Sequence, residues 1–509
     1  QERWQIVVKD FASPFAIGFV VLLVLVFARS RKHTDFALAL FAIACIMDMN
    51  MISAPLAIVA GQEISCSDIV LVLFVLFALN AAVRDRVVLN KLALSAALIF
   101  LVVLISSLLF NFCFPYSKAI VASGTSWDMF VSGWATQSVQ VFGERNLLVF
   151  VRYMLFAFSG VLAVSLFKGD DFIRVGRWVV AVGKLHICYA MFELFTKAVL
   201  GLNIASQFTS FLFADSHVYT AYIVRDSLVA LWGLTREPSH FVLALGFFVV
   251  VFLLIKISGR APREKKVWPV LAVGLMCVSA ASSTVVLLPM LAFFAFALFQ
   301  IQRRGFVRML PICIAFAVLG TGVYVFAGTE LGQSLPYFEK AYGVFISIES
   351  AFRGDYFALR ATMGSPRLVS VVESIRTWVE APLIGIGVGS MNPFSGVFAQ
   401  LVNTGLVGFV AWLGYLRSLQ SRTPVRYSYM MLVLVVAGTM LFLGQEGSMY
   451  SFALLLIAPL SSYCLQLAET DRCGLGVIGA PNRLGLKCKK EKGGSRVELV
   501  RTASAKLRR

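Results

Sequence analysis

Four arginines recur at intervals of seven, seven and nine residues within one polar stretch of an otherwise apolar chain. They are Arg353, Arg360, Arg367 and Arg376. In a helix the first three would share one face, because each follows the previous one by two turns. A planar guanidinium suits bidentate contact with phosphate, so the series predicts a site for a phosphorylated substrate. The alternative is a solvated helix face, on which the arginines pair with the neighbouring carboxylates Glu349, Asp355, Glu373 and Glu380.

A carboxylate and an imidazole mark the start of a predicted apolar helix. Glu237 precedes Pro238, a residue suited to the first helical turn, and His240 follows in that turn. Arg236 adjoins the carboxylate, and Arg225 lies a short loop away. The group combines a candidate general base with candidate anion-binding residues. Glu237 is the preferred base and His240 the second choice, while capping of the helix is the alternative role of Glu237.

Ionisable residues inside the apolar runs form a third set. A charge near the middle of a bilayer is costly, so it is expected to face a cavity or a partner. Arg152 lies close enough to a predicted helix end either to snorkel to the surface or to contact a substrate phosphate. His186, Glu193 and Lys197 share one helix face, and a buried structural pairing is the favoured interpretation.

The composition is that of a membrane protein. Hydrophobic residues make up 59% of the chain and charged residues 14%, with a mean hydropathy of +0.83. Apolar runs of about 17–25 residues recur, each long enough to cross a bilayer as a helix, and alternating ten-residue strands are absent. The sequence therefore predicts an all-α polytopic membrane protein with about 12–13 transmembrane helices.

The positive charges lie between these helices. The predicted spans are 13–28, 36–60, 68–83, 91–110, 146–167, 178–200, 239–257, 267–282, 284–301, 306–327, 397–416, 428–444 and 448–467. If the spans alternate, all the strongly basic loops, including Lys168–Arg177, lie on the same face as the basic tail 468–509. That face is expected to be cytoplasmic, which accounts for the net charge of +18 without a nucleic-acid partner. The tail is expected to be attracted to anionic membrane lipid.

The long connections fall on the opposite, external face. Residues 1–327 would carry the first ten spans with external loops 111–145 and 201–238, and residues 397–467 the last three. Between them lies a large external loop, 328–396, which is expected to contain short helices because of its many aromatic residues. Its last part, which leads into the next span, is predicted to be a wet segment at the membrane surface. Long loops of this kind are usually functional.

Two motifs in these loops resemble a known family. The first motif runs from Arg367 through Trp378 to P-L-I-G-I-G-V-G-S, and is followed by Asn392 and by G-L-V-G at 405–408. It resembles the signature of bacterial O-antigen polymerases and O-antigen ligases. The E-P-S-H at 237–240, after a G-L-T-R turn, resembles the Glu-Pro motif of the same superfamily in the form found in exopolysaccharide polymerases. The order of spans, medium loop and large loop also agrees.

The resemblance implies a GT-C-like glycosyltransferase of the bacterial inner (plasma) membrane. It would transfer an oligosaccharide from undecaprenyl diphosphate to an acceptor sugar hydroxyl on the outer face of that membrane. By resemblance Arg367, with one or more of Arg360, Arg353, Arg236 and Arg225, would hold the diphosphate, and Glu237 or His240 would act as base. Neither a metal nor a cofactor is required. A chain-length regulator and a flippase of the same pathway are the implied protein partners.

The chain departs from the family pattern at two of these positions. Ligases of the superfamily have a His-Asn pair where this chain has Met391-Asn392, which favours a polymerase. Many members have an arginine upstream of the Glu-Pro, where this chain has Ala230. A ligase of the same superfamily remains an alternative. A flippase or transporter of lipid-linked glycans is the alternative from another class, and would be expected to show repeated halves or broken helices.

Overall fold

The computed structural model describes most of the apolar part of the chain. It covers residues 14–30, 32–50, 55–59, 62–116, 119–121, 137–139, 142–213, 224–225, 228–229, 231–235, 238–259, 267–278, 324–335, 374–391, 393, 395–420 and 451–472, with further positions between 314 and 353. Within these ranges the protein is predominantly helical.

The helices account for nearly all of the regular structure. They are α1 Pro14–Arg29, α2 His33–Asn50, α3 Cys66–Arg84, α4 Lys91–Cys113, α5 Glu144–Leu166, α6 Gly169–Ala198, α7 Ile204–Phe213, α8 Pro238–Ile257, α9 Val267–Val278, α10 Glu330–Ser334, α11 Gly396–Ser418 and α12 Phe452–Arg472. Residues 374–380 are also helical. Three antiparallel hairpins pair β1 Pro55–Val59 with β2 Gln62–Ser65, β3 Ala119–Val121 with β4 Gln137–Val139, and β5 Val224–Arg225 with β6 Leu228–Val229.

Five of these helices are long and apolar enough to cross a membrane. They are α3, from Ser67, with α4, α5, α6 and α11. Shorter apolar helices lie in α1, α2, α8, α9 and α12. The chain is thus a helical membrane protein, as its composition predicts. The further predicted spans 284–301 and 428–444 lie outside the described residues, and 306–327 is described only in part.

Two predicted boundaries are wrong. The second span was expected to run to residue 60, but α2 ends at Asn50 and residues 55–65 contain the β1–β2 hairpin. Pro55 cannot continue a helix, although the residues around it are apolar. The basic segment Lys168–Arg177 was expected to be a loop, but α6 begins at Gly169. Its acidic first turn, Asp170 and Asp171, stabilises a helix N-terminus.

Small residues allow the helices to pack closely. A Cβ at Gly160 of α5 would lie 2.0 Å from the hydroxyl of Tyr415 on α11, and one at Gly183 of α6 would lie 2.1 Å from the ring of Phe248 on α8. Such close approach is typical of helices that associate in membranes. The result is two neighbouring groups: α4, α5 and α11 pack together, as do α6, α8 and α9, with α12 against both.

The short connection between α5 and α6 shows which ends of these two helices lie on the same face. Only Phe167 and Lys168 separate the two helices, and both helices are long and apolar enough to span. Two consecutive spans return the chain to the face from which it started. The beginning of α5 and the end of α6 therefore lie on the same face, and we call this face the site end.

Candidate functional site

The predicted site residues are described to different extents. Arg236, Glu237, Arg360 and Arg367 lie outside the described residues. Arg225 lies in β5 and His240 in the first turn of α8, which begins at Pro238 as the sequence predicts. The side chains of Arg152 and Arg353 are described, and each has a carboxylate partner.

Arg152 pairs with Asp68 on a neighbouring helix. Its Nε and Nη2 donate to the two carboxylate oxygens of Asp68 at 3.1 and 2.9 Å. The two residues lie near the beginnings of α5 and α3, and both side chains are largely buried. The geometry is the bidentate one that guanidinium and carboxylate favour. Arg152 thus faces a partner, as expected of a charge inside an apolar run, and connects two helices. This is neither of the two specific roles, snorkelling and phosphate binding, that were predicted for it.

Arg353 pairs with Glu349 one helical turn earlier. Both side chains are exposed, as expected for the solvated alternative. An exposed pair of this kind contributes about 0–1 kcal/mol to stability. The pair says nothing about Arg360 and Arg367, whose phosphate-binding roles stay predictions.

A buried carboxylate on α6 holds the turn that leads to the Glu-Pro motif. The turn, residues 231–235, has the sequence L-W-G-L-T. Glu193 accepts the backbone N–H of Gly233 at 2.7 Å and that of Trp232 at 3.1 Å to each oxygen. Lys197 donates to the same carboxylate at 2.7 Å. Successive backbone N–H groups form a concave anion site, which here is filled by the chain's own carboxylate.

His186 completes this anchor from two turns earlier on α6. Its Nε2 accepts the backbone N–H of Leu234 at 3.1 Å. Its ring also packs against Phe241 in the first turn of α8, with centroids 5.3 Å apart. Gly233 has a φ of +58°, and a Cβ there would lie 2.2 Å from His186 Nε2. The buried polar group predicted on α6 is therefore present, and it fixes the turn.

The second motif segment is a glycine-rich loop, residues 381–391. It was expected to be wet, but residues 385–391 are buried. Gly385, Gly387 and Gly389 have φ values of +75°, +109° and +73°, a region that only glycine adopts freely. A Cβ on Gly387 would lie 2.3 Å from the side chain of Asn111 on α4. The loop can approach the helices this closely because these positions lack side chains.

The glycine loop fills a break in α11. Gly405 has non-helical angles, φ 66° and ψ −172°, so the helix is interrupted there. The loop N–H groups of Ile386 and Gly387 donate to the carbonyls of Val402 and Asn403 at 2.9 and 3.0 Å. In return, the N–H groups of Leu406 and Val407 donate to the carbonyls of Pro382 and Leu383 at 2.8 and 3.2 Å. The loop thus satisfies the four backbone groups that would have paired with one another in an unbroken helix.

Buried amides and hydroxyls hold the loop from the sides. Asn146 on α5 donates to the carbonyl of Val388 at 2.7 Å, and Asn111 on α4 donates to the hydroxyl of Ser390 at 3.0 Å. Asn403 on α11 pairs with both backbone groups of Met391 at 2.7 and 2.8 Å. Asn111, Asn146 and Asn403 were missed in the sequence. The signal for them was an amide within or beside an apolar run.

The broken helix has a bearing on the transporter alternative. In transporters, the freed ends of a broken helix commonly bind substrate or ions. Here the four freed backbone groups form hydrogen bonds with the chain's own loop.

Among the described residues, no group of three or more His, Cys, Asp or Glu is placed to hold a metal ion.

The two motif segments approach the same end of the molecule. The glycine loop contacts the end of α4 and the beginning of α5, and the 231–235 turn contacts the end of α6. The beginning of α5 and the end of α6 both belong to the site end. Each segment is irregular backbone fixed against rigid helices, which is how proteins position groups for binding or catalysis.

No protein-family model matches the chain, and no curated protein matches it.

Proposed function

We propose that this protein is a membrane glycosyltransferase that polymerises polysaccharide repeat units. The donor is an oligosaccharide linked to undecaprenyl diphosphate, and the acceptor is a sugar hydroxyl of a second lipid-linked unit. The reaction takes place on the outer face of the bacterial inner membrane. The observation that carries the proposal is the pair of motifs, E-P-S-H at 237–240 and the segment from Arg367 through the glycine loop, in this order within a helical membrane protein.

The positions of the two flanking segments support the proposal. A transferase of this kind must hold a base and an anion site close to one another at the membrane boundary. The turn before Glu237 and the loop after Arg367 are both fixed at the site end, although they are far apart in the sequence.

The proposed reaction uses arginines and one carboxylate. Glu237 takes the proton from the acceptor hydroxyl, whose oxygen then attacks the anomeric carbon of the donor sugar. The bond between that carbon and the diphosphate oxygen breaks, and the lipid diphosphate leaves with its bonding electrons. Arg367, together with one or more of Arg360, Arg353, Arg236 and Arg225, stabilises the charge that develops on the leaving group. His240 is the second candidate for the base.

Arg152 has a weaker claim to this site than Arg367, Arg360, Arg236 and Arg225. Its guanidinium is engaged by Asp68 in a bidentate pair. We therefore assign it to the connection between α3 and α5, and the diphosphate to the arginines of the loops.

The lipid-linked glycans of a strain that lacks the protein test the proposed function. Single repeat units on the lipid carrier at the external leaflet, with no long chains, are the expected result. Long chains left on the carrier would instead identify a ligase. Units retained on the cytoplasmic side would identify a flippase and overturn the proposal.

Two substitutions test the residue roles in the complemented strain. Arg367→Ala is expected to abolish polymer while the protein remains in the membrane, because the leaving group loses its counter-charge. Glu237→Gln is expected to reduce polymer far more than Glu373→Gln, the matched change at a carboxylate of the predicted large external loop. Normal polymer from Arg367→Ala, or equal mild effects from the two glutamine variants, would contradict these roles. Immunoblots of the membrane fraction control for expression.

A further inference from the structure

We propose that Glu193 is a positioning residue for the segment 236–240, which carries the proposed base. This inference rests on the proposed function and adds a residue that the motif itself does not contain. Glu193 lies on α6, about 40 residues before the motif. It would act through the backbone of the 231–235 turn rather than by touching substrate.

Glu193 and His186 on α6 hold the chain on both sides of that segment. On the N-terminal side, Glu193 and His186 accept the N–H groups of Trp232, Gly233 and Leu234. On the C-terminal side, the His186 ring packs against Phe241, which is fully buried. The six residues between Leu234 and Phe241 are therefore tied at both ends to one rigid helix.

The burial of Glu193 and Lys197 explains why a charged residue holds the turn. Glu193 and Lys197 are 1% and 3% exposed, so neither charge is screened by water. A carboxylate accepts several N–H groups at once, and its hydrogen bonds to them are stronger than those of a neutral acceptor. Lys197 supplies the balancing charge from the next helical turn. A neutral residue would hold the turn more weakly, and the attached motif would lose its fixed position.

The test is a double substitution, Glu193→Gln with Lys197→Met, in the full-length protein. It removes both buried charges together, so no unpaired charge is left inside. Hydrogen–deuterium exchange of the amides at 232–234 should become faster. With lipid-linked repeat units as substrate, kcat should fall by about 10²-fold, since misplacement of a reacting group by about 1 Å has that effect, while KM changes little.

A matched control comes from the same helix. Tyr189 on α6 donates to the carbonyl of Ala205 at 2.7 Å and so tethers α7 instead of the turn. Tyr189→Phe should leave both kcat and exchange at 232–234 unchanged. If the double variant does not accumulate, Gly233→Ala replaces it. Its Cβ would overlap His186 and push the turn from α6 without altering a charge, and the same fall in kcat is expected.

The outcomes separate this proposal from the proposed function. Wild-type kcat in a variant whose exchange has increased would overturn the positioning role, and so would unchanged exchange at 232–234. Failure of the wild-type protein to polymerise would overturn the proposed function instead. In that case the exchange measurement alone decides whether Glu193 fixes this segment.

Discussion

The 231–235 turn and the glycine loop are two solutions to the same physical problem. Each is irregular backbone packed among apolar helices, where an unpaired N–H or C=O group is costly. The turn is held by one carboxylate, Glu193, balanced by Lys197. The glycine loop is held by the broken ends of α11 and by neutral groups, chiefly Asn111, Asn146 and Asn403.

The difference lies in how the anchoring is distributed. Most of the turn's hydrogen bonds to α6 converge on a single side chain, so the loss of that side chain or of its counter-charge affects all of them. The glycine loop has contacts on three helices, so the loss of any one leaves the others in place. We therefore expect the turn to be the more sensitive of the two to single changes of charge. The loop should be sensitive mainly to added volume.

The largest effect is expected from Lys197→Met. It leaves the buried carboxylate of Glu193 without its counter-charge, and breaking a buried ion pair in this way typically costs about 3–5 kcal/mol. Thermal unfolding of the detergent-purified protein measures the loss. The matched control is Arg353→Met, which breaks the exposed pair with Glu349 and should change stability by less than about 0.5 kcal/mol. Similar stabilities for the two variants would show that the turn does not depend on a buried charge.

A somewhat smaller loss is expected from Gly387→Ala. Alanine at a φ of +109° is strained, and its Cβ would overlap Asn111 at 2.3 Å. Strain of about 1–2 kcal/mol and overpacking of about 1–3 kcal/mol together give a loss of about 3 kcal/mol. Gly246→Ala on α8 is the control, since a Cβ there meets nothing within 4 Å. If both alanine variants unfold at the same temperature, the glycine loop is not packed against α4 as described.

The smallest of the three effects is expected from Asn111→Leu. It removes one hydrogen bond to the hydroxyl of Ser390, which keeps its contacts with Asn146 and with the carbonyl of Ile386. A typical hydrogen bond contributes about 0.5–1.5 kcal/mol net to stability, so a loss of that size is expected. Ser106→Ala, which removes an exposed hydroxyl bonded to Val102, should be near neutral in the same unfolding measurement. A loss equal to that of Lys197→Met would contradict the distributed anchoring of the loop.

Much of the helical framework could be predicted from hydrophobic runs alone. The span expected at 397–416 is observed as Gly396–Ser418, and the one expected at 239–257 begins at Pro238. The errors arose where local composition was ambiguous. The apolar residues after Asn50 continue a hydrophobic run although Pro55 ends the helix, and the charges after Lys168 suggested a loop where they form the first turns of α6.

The candidate site could be predicted less well, because the residues that form it are far apart along the chain. The sequence showed that Glu193, Lys197 and His186 share a face, because that follows from helical periodicity. It did not show that their partner is the backbone of Trp232, Gly233 and Leu234, since a backbone N–H has no sequence signature. The glycines of the loop indicated a turn, and the charged residues just before it, Arg376 and Glu380, led to the prediction of a solvent-exposed segment. Its burial depends on Asn111 and Asn146, which belong to distant helices.

The sequence by itself determined that this protein is helical and membrane-embedded, and where most of the described helices begin and end. These properties follow from the cost of placing backbone groups and charges in hydrocarbon, which any segment experiences regardless of its neighbours. Only the tertiary structure decided that α11 is broken at Gly405 and that residues 382–387 fill the break. It also decided that a carboxylate on α6 holds the turn before the Glu-Pro motif. Hydrogen bonds between distant segments depend on how the helices pack, and that information is spread over the whole chain.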